Sequence, residues 1–214
     1  MDRWATFDCY GTLIDWNGGI GRELERLFGA GRAGAMLHRY HEVEPQIQRD
    51  DPRRSYRDVM ALALAELGAP AGEQDALARS LPGWAPFPEV PAALEEARSR
   101  GWRLAVLSNT DHDLLEASLA AIGVPFDERV VASEIGSYKP AHGHWHEFFR
   151  RSGADPARHV HVAQSHFHDV VPASELGLRT VWVNRLGERA EPAPTRELPD
   201  LTRLADTLDE LVPA

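Results

Sequence analysis

The stretch RWATFDCYGTLID, residues 3–15, decides the fold. It opens as a short apolar run and closes on an acidic residue followed by a turn-like YGT, which reads as a buried strand ending in chemistry. Four comparable runs follow: WRLAVLSN (102–109), RVVAS (129–133), HVHVAQS (159–165) and RTVWVNR (179–185). Helical patterns separate them. PEVPAALEEARSRG (88–101) puts Val90, Leu94 and Ala97 on one face. DHDLLEASLAAIG (111–123) does the same with Leu115, Leu119 and Ile122. Each ends in a glycine suited to stopping a helix. PDLTRLADTLDELV (199–212) repeats leucine at helical spacing. Strands alternating with helices predict an α/β fold, a parallel sheet covered by helices on both faces.

Residues 16–83 break the alternation. They carry helical patterns such as GGIGRELERLFG and SYRDVMALALAELG and no strand-like run. The reading is a helical cap inserted after the first strand, with the core formed by 1–15 and 84–214. PGWAPFPEVP (82–91), with four prolines, reads as the return linker, and Gly18 and Gly19 as hinge candidates at the outgoing crossing. ERAEPAPTRELPD (188–200) reads as a polar surface loop.

The 214 residues suffice for one sizeable core. A net charge of -10 leaves no basic excess to neutralise phosphates, so nucleic acid is not expected as a partner. A small anionic substrate stays possible, because a few local cations can oppose the overall field. No apolar run approaches the ~20 residues of a membrane span. The single cysteine, Cys9, excludes an intramolecular disulfide and fits a reducing compartment. With no signal-like N-terminal pattern, the expectation is a soluble, cytoplasmic protein.

In an open parallel sheet, ligands bind beyond the C-terminal ends of the strands. The first strand ends at Asp8, Tyr10 and Thr12, and the second at Ser108 and Asn109. EIGSYKP then offers Lys139, and VAQSHFHD offers Gln164, Ser165, His166 and Asp169. A carboxylate, hydroxyls, an amine and a second carboxylate can thus meet in one crevice, with the amine keeping Asp8 ionised as a nucleophile. Taken singly, Ser108 and Asn109 are ordinary turn residues, Lys139 before a proline is an ordinary loop lysine, and Asp169 could cap a following helix.

FDCYGTLID, LAVLSNTD, GSYKP and VAQSHFHD, in this order, resemble the four motifs of the haloacid dehalogenase-like hydrolase superfamily. The resemblance implies a Rossmann-like core and Asp8 as a nucleophile that forms a covalent ester. It also implies that Thr12, Ser108, Asn109 and Lys139 position substrate and nucleophile, with Asp169 in support. Most members are magnesium-dependent phosphatases. They carry a second aspartate two residues after the nucleophile and a Gly-Asp in the fourth motif. Here Tyr10, Ala163 and Gln164 stand at those places. A phenol with a reference pKa near ~10 is a weak acid at neutral pH, and a neutral amide is a poor magnesium ligand.

The 2-haloacid dehalogenases of the superfamily have tyrosine after the nucleophile. They also have a cap arginine in a pattern like LHRYHEVE (37–44), which assigns Arg39 to the leaving halide or the substrate carboxylate. The same resemblance puts Trp145 and His166 at the substrate, in place of a tyrosine and an asparagine; closure of the cap about its two crossings would bring Trp16 over Asp8. His166 is also a candidate water-activating base. The expectation is a metal-independent hydrolase of a small halogenated organic acid, with no cofactor and a small-molecule substrate as partner; a homodimer is a family-level possibility. Two alternatives stay open: a magnesium-dependent phosphatase, and a non-catalytic member. Alternating histidines in AHGHWH, at 159 and 161, and at 166 and 168 do not by themselves converge, so no metal site is assigned.

Overall fold

The computed structural model describes residues 2–189 and 191–214. The chain runs β1 (Arg3–Phe7), α1 (Trp16–Phe28), α2 (Ala30–Asp50), α3 (Tyr56–Glu66), α4 (Ala76–Ser80), α5 (Val90–Ser99), β2 (Trp102–Ser108) and α6 (His112–Ile122). It continues with β3 (Glu128–Val131), α7 (Ala132–Ile135), α8 (Gly143–Ser152), β4 (His159–Ala163), α9 (Val171–Glu175), β5 (Arg179–Val183), β6 (Arg196–Leu198) and α10 (Leu204–Leu211).

The described strands form one sheet in the order β3-β2-β1-β4-β5-β6, and every pair is parallel. All five residues of β1 are buried, as a central strand covered on both faces requires. Its neighbours are β2 and β4, so the ends of three strands converge where Asp8 follows β1. β6 lies inside the expected 188–200 loop, of which position 190 falls outside the described residues. Three polar-flanked residues carry no strand periodicity, and only the edge of β5 (Val181 opposite Arg196) gives them a partner.

Between β1 and α5 the chain is helical, with no strand among the described residues. Asp15 caps α1 by accepting the Gly18 amide at 3.0 Å, and Ser55 caps α3 through the Asp58 amide at 3.1 Å. Gly18 and Gly19 lie in the first turn of α1. At Gly19 a Cβ would overlap the indole of Trp84, so glycine is what lets α1 sit against that ring. The two chain crossings lie side by side. Asp15 N donates to Ala85 O at 3.0 Å, Phe87 N donates to Leu13 O at 3.0 Å, and Ile14 bridges Pro86 antiparallel.

Candidate active site

A cavity of about 610 Å³ lies between the C-terminal ends of β1, β2 and β4 and the helical insertion. Its floor comes from the strand ends. Lys139 Nζ donates to Asp8 Oδ1 at 2.9 Å, to Asp169 Oδ1 at 2.6 Å and to the Leu107 carbonyl at 2.8 Å. Thr12 Oγ1 donates to Asp8 Oδ2 at 2.8 Å and accepts the Gln164 amide at 2.9 Å. Both Asp8 oxygens therefore accept hydrogen bonds, the arrangement of a carboxylate. The turn that returns Thr12 to Asp8 passes through Gly11 at φ +92°, a backbone region that favours glycine.

Burial shapes the electrostatics. It pushes Asp8 and Asp169 above the ordinary carboxylate range, against the opposing pull of Lys139. Burial alone would lower Lys139, but the two carboxylates outweigh it and hold the ammonium above its usual pKa. Asn109 fixes the lysine's backbone: its Oδ1 accepts the Lys139 amide at 2.7 Å, and its Nδ2 donates to the Lys139 carbonyl at 3.0 Å. Ser108 lines the cavity, fully buried, and its hydroxyl has no partner. His144 Nε2 donates to the Ser108 carbonyl at 3.0 Å. Its ring stays neutral because burial lowers its pKa to about 3.

Tyr10 lines the cavity with its ring, but its hydroxyl is engaged elsewhere, 3.0 Å from Ser118 Oγ and 3.4 Å from the Leu114 carbonyl. Burial raises the phenol's pKa still further. Trp16 reaches the cavity from the insertion, donates to the Tyr56 hydroxyl at 3.2 Å and stacks on His41 at 5.0 Å.

His166 also lines the cavity, but its Nε2 is 2.8 Å from the Pro192 carbonyl and its ring lies edge-on to Trp182. The histidine that meets Asp169 is His161, 3.0 Å from Oδ1. Asp169 does not cap the helix after it. Ser165 caps the π turn (His166–Val170) that contains Asp169, α9 starts without a side-chain cap, and the Asp169 side chain turns back to Lys139 and His161.

Two expected site residues lie elsewhere. Arg39 is exposed on α2 and pairs with Glu42 at 2.8 Å. The stripe of α2 that meets the cavity is His41, Glu44, Pro45 and Gln48, and Arg39 sits about 200° around the helix from His41 at 3.6 residues per turn. Trp145 is buried in the second hydrophobic cluster beneath the sheet, with its ring edge-on to His161 at 5.1 Å. It fills core, because α8 turns His144, Trp145 and Phe148 inward.

Three other cavity residues stand outside the expected set, although one of them, Glu44, closes the LHRYHEVE pattern. Glu44, buried at 6% exposure, accepts from Gln48 Nε2 at 2.9 Å, and burial pushes its carboxyl up to about 7. Helical phase from His41 would have found both. Arg185 donates to the Thr12 carbonyl at 2.9 Å, pairs with Glu89 at 2.7 Å and lies over the Phe87 ring at 3.7 Å. Its position just past β5 was the available signal.

A divalent cation does not fit the donors present. The Lys139 ammonium occupies the point between Asp8 and Asp169, and the remaining Asp8 oxygen is taken by Thr12. Gln164, at the place of a metal-binding carboxylate, is neutral and lays its Oε1 against Gly11. Among the described residues, no group of three or more histidine, cysteine or acidic side chains is disposed to hold a metal.

Comparison with known proteins agrees with this architecture. A (S)-2-haloacid dehalogenase 4A of Burkholderia cepacia is 28% identical over 99% of this chain and 94% of its own length. A (S)-2-haloacid dehalogenase of Pseudomonas sp. (strain YL) is 30% identical over 85% of this chain and 82% of its own. The crystal structure of an L-2-haloacid dehalogenase superposes with a TM-score of 0.87 at 25% identity, covering 97% of this chain and 99% of that one. The model of the haloacid dehalogenase-like hydrolases matches residues 3–177. The chain therefore belongs to the haloacid dehalogenase-like hydrolase family.

Proposed function

We propose that this hydrolase cleaves the carbon–halogen bond of a small halogenated organic acid, without a metal, through an ester on Asp8. One observation carries the reading: Lys139 and Thr12 hold Asp8 as a carboxylate, while the Tyr10 hydroxyl, at the place of the phosphatases' general acid, is bonded away to Ser118 and the Leu114 carbonyl. Expelling an alkoxide calls for general acid help worth ~10²–10⁴ in rate. Halide departs as a stable anion and needs none. The (S)-2-haloacid dehalogenases among the relatives support the substrate class.

In the first step an Asp8 oxygen attacks the halogen-bearing carbon in line. A carbon–oxygen bond forms, and halide leaves with the bonding pair into the cavity. In the second, water adds to the Asp8 carboxyl carbon. The carbon–oxygen bond to the substrate-derived alkoxide breaks, and the alkoxide takes one water proton to become the hydroxy acid. Asp8 returns as a carboxylate, and one proton is released with the halide. Ser108 offers a buried, unpartnered hydroxyl to the substrate. Asp169, whose Oδ2 has no partner, orients the water. Residues 16–83 act as the lid over the core of 1–15 and 84–214, with Trp16 in the covering wall.

One turnover of 2-chloropropionate or haloacetate in ¹⁸O-water, followed by peptide mass analysis, tests the route. Label in Asp8 and EDTA-resistant halide release are expected, and Asp8→Asn abolishes both without unfolding the protein. Label confined to product, or EDTA-sensitive phosphate release from an aryl phosphate with no halide release, overturns it.

A further inference from the structure

Beneath the cavity floor the sheet carries polar side chains where an all-buried position favours apolar ones. Thr6 of β1 and His159 and His161 of β4 are each at most 1% exposed. Thr6 stands opposite His161 in the parallel register, and the two histidines share a face of β4. Thr6 Oγ1 is 2.8 Å from His159 Nε2 and 2.8 Å from His161 Nδ1. The row ends at His161 Nε2, 3.0 Å from Asp169 Oδ1. Aromatic rings fix it from the side: Trp145 lies edge-on to His161 at 5.1 Å, and Phe148 and Phe149 lie 5.4 and 5.1 Å from His159.

The proton positions follow from donor counting. The Asp169 carboxylate only accepts, so His161 Nε2 carries the hydrogen and Nδ1 is bare. The bare Nδ1 takes the Thr6 hydroxyl hydrogen, and the Thr6 oxygen takes the hydrogen on His159 Nε2. That leaves His159 Nδ1 bare, and it is the atom of this row that has no partner. Neutral rings are what burial enforces, lowering His161 to about 3 and His159 well below its ordinary value. Burying three polar side chains is costly unless they are paired, and here the pairing terminates on one oxygen of the site.

We propose that His161, backed by Thr6 and His159, is a positioning residue for breakdown of the Asp8 ester: it pins Asp169 through Oδ1 so that Oδ2 stays free for the attacking water. This rests on Asp8 being the ester-forming nucleophile. Asp169 Oδ1 accepts from both Lys139 and His161, whereas Oδ2 has no partner in a residue that lines the cavity. Before attack, the single Lys139 charge faces two carboxylates. Once Asp8 is esterified its competition for Lys139 falls away, and His161 stays as the second donor that keeps Oδ1, and not Oδ2, engaged.

The test separates the two steps by rapid quench, timing halide release and the lifetime of the Asp8 adduct by intact mass. His161→Leu lengthens the adduct lifetime ~10- to 100-fold, the scale of a small misplacement of a reacting group, while the halide burst is unchanged. His161→Gln, whose side-chain amide can place an N–H donor near the position of Nε2, restores much of the loss. Adding Asp169→Asn to His161→Leu slows breakdown no further than Asp169→Asn alone. An unchanged adduct lifetime, or equal slowing of both steps, overturns the proposal. If His161→Leu does not fold, Thr6→Val decides: it must lengthen the adduct lifetime, and no change overturns. If the wild-type protein forms no adduct with any haloacid, the carbon–halogen reading fails. ¹⁵N NMR of His161 in the resting protein then judges the relay: a neutral ring protonated at Nε2 supports it, and the other tautomer or a charged ring overturns it.

Discussion

Lys139 carries one positive charge between two carboxylates, so the resting floor of the cavity holds one negative charge in excess. Glu44 faces the same cavity from α2, and its environment decides whether a further charge is added. Burial raises its folded-state pKa from 4.5 to about 7. A carboxyl with a raised folded pKa binds its proton more tightly in the native state, so stability falls as pH rises from the unfolded value through the folded one. Between pH 5 and pH 8 the wild-type protein should lose about 2.5 kcal/mol that Glu44→Gln, which still accepts from Gln48, does not lose. Denaturant unfolding of both proteins at the two pH values checks this; an identical pH dependence would count against a buried, proton-binding Glu44.

At the scale of elements, α1 is positioned by absences. Gly19 gives the helix its close seat on Trp84, while Gly21, two residues on, has open space around the place of a Cβ. Gly19→Ala must therefore displace the ring or the helix, costing ~1–3 kcal/mol. Gly21→Ala should stabilise by ~0.5–1 kcal/mol through backbone entropy. Opposite signs in denaturant midpoints are the expected outcome; two changes of the same sign would refute close packing at Gly19. The elements also show what could be read from the chain. β1, β2, β4 and β5 are buried parallel strands, announced by mainly apolar runs that end in polar residues, although Thr6, His159 and His161 interrupt two of them. β6 is three residues long and exists only because β5 has an edge to pair. Asp8, Thr12, Lys139 and Asp169 converge because strand ends in a parallel sheet must. Arg39 was misplaced because a motif spacing says nothing about helical phase, and Trp145 because a residue near a strand-end loop can turn into the core instead. His161 stayed hidden because a histidine in an apolar strand declares no partner until the sheet register puts Thr6 beside it.

For the whole molecule, the formal net charge of -10 surrounds a cavity whose lining cations, Lys139 and Arg185, are both paired. The long-range field therefore repels an anionic substrate. Raising a non-halide salt from about 10 to about 200 mM, which shortens the screening length from ~30 Å to under ~10 Å, should raise kcat/KM for a haloacid anion about two-fold or more. An uncharged haloamide should not respond. A fall in kcat/KM for the anion would mean that local attraction dominates its approach. No helix among the described residues is long and apolar enough to cross a membrane.

The hydrogen-bonded pair of crossings at Leu13–Asp15 and Ala85–Phe87 has a consequence for how such a molecule can change over generations. A chain segment whose two ends already touch adds little closure entropy however long it grows, because that cost rises only logarithmically with length. Helices between the crossings can be lengthened, shortened or exchanged as a cassette while the strand ends that hold Asp8, Lys139 and Asp169 stay fixed. The far wall is thereby free to diverge under selection, while the arrangement of Asp8, Lys139 and Asp169 on the near wall is inherited intact.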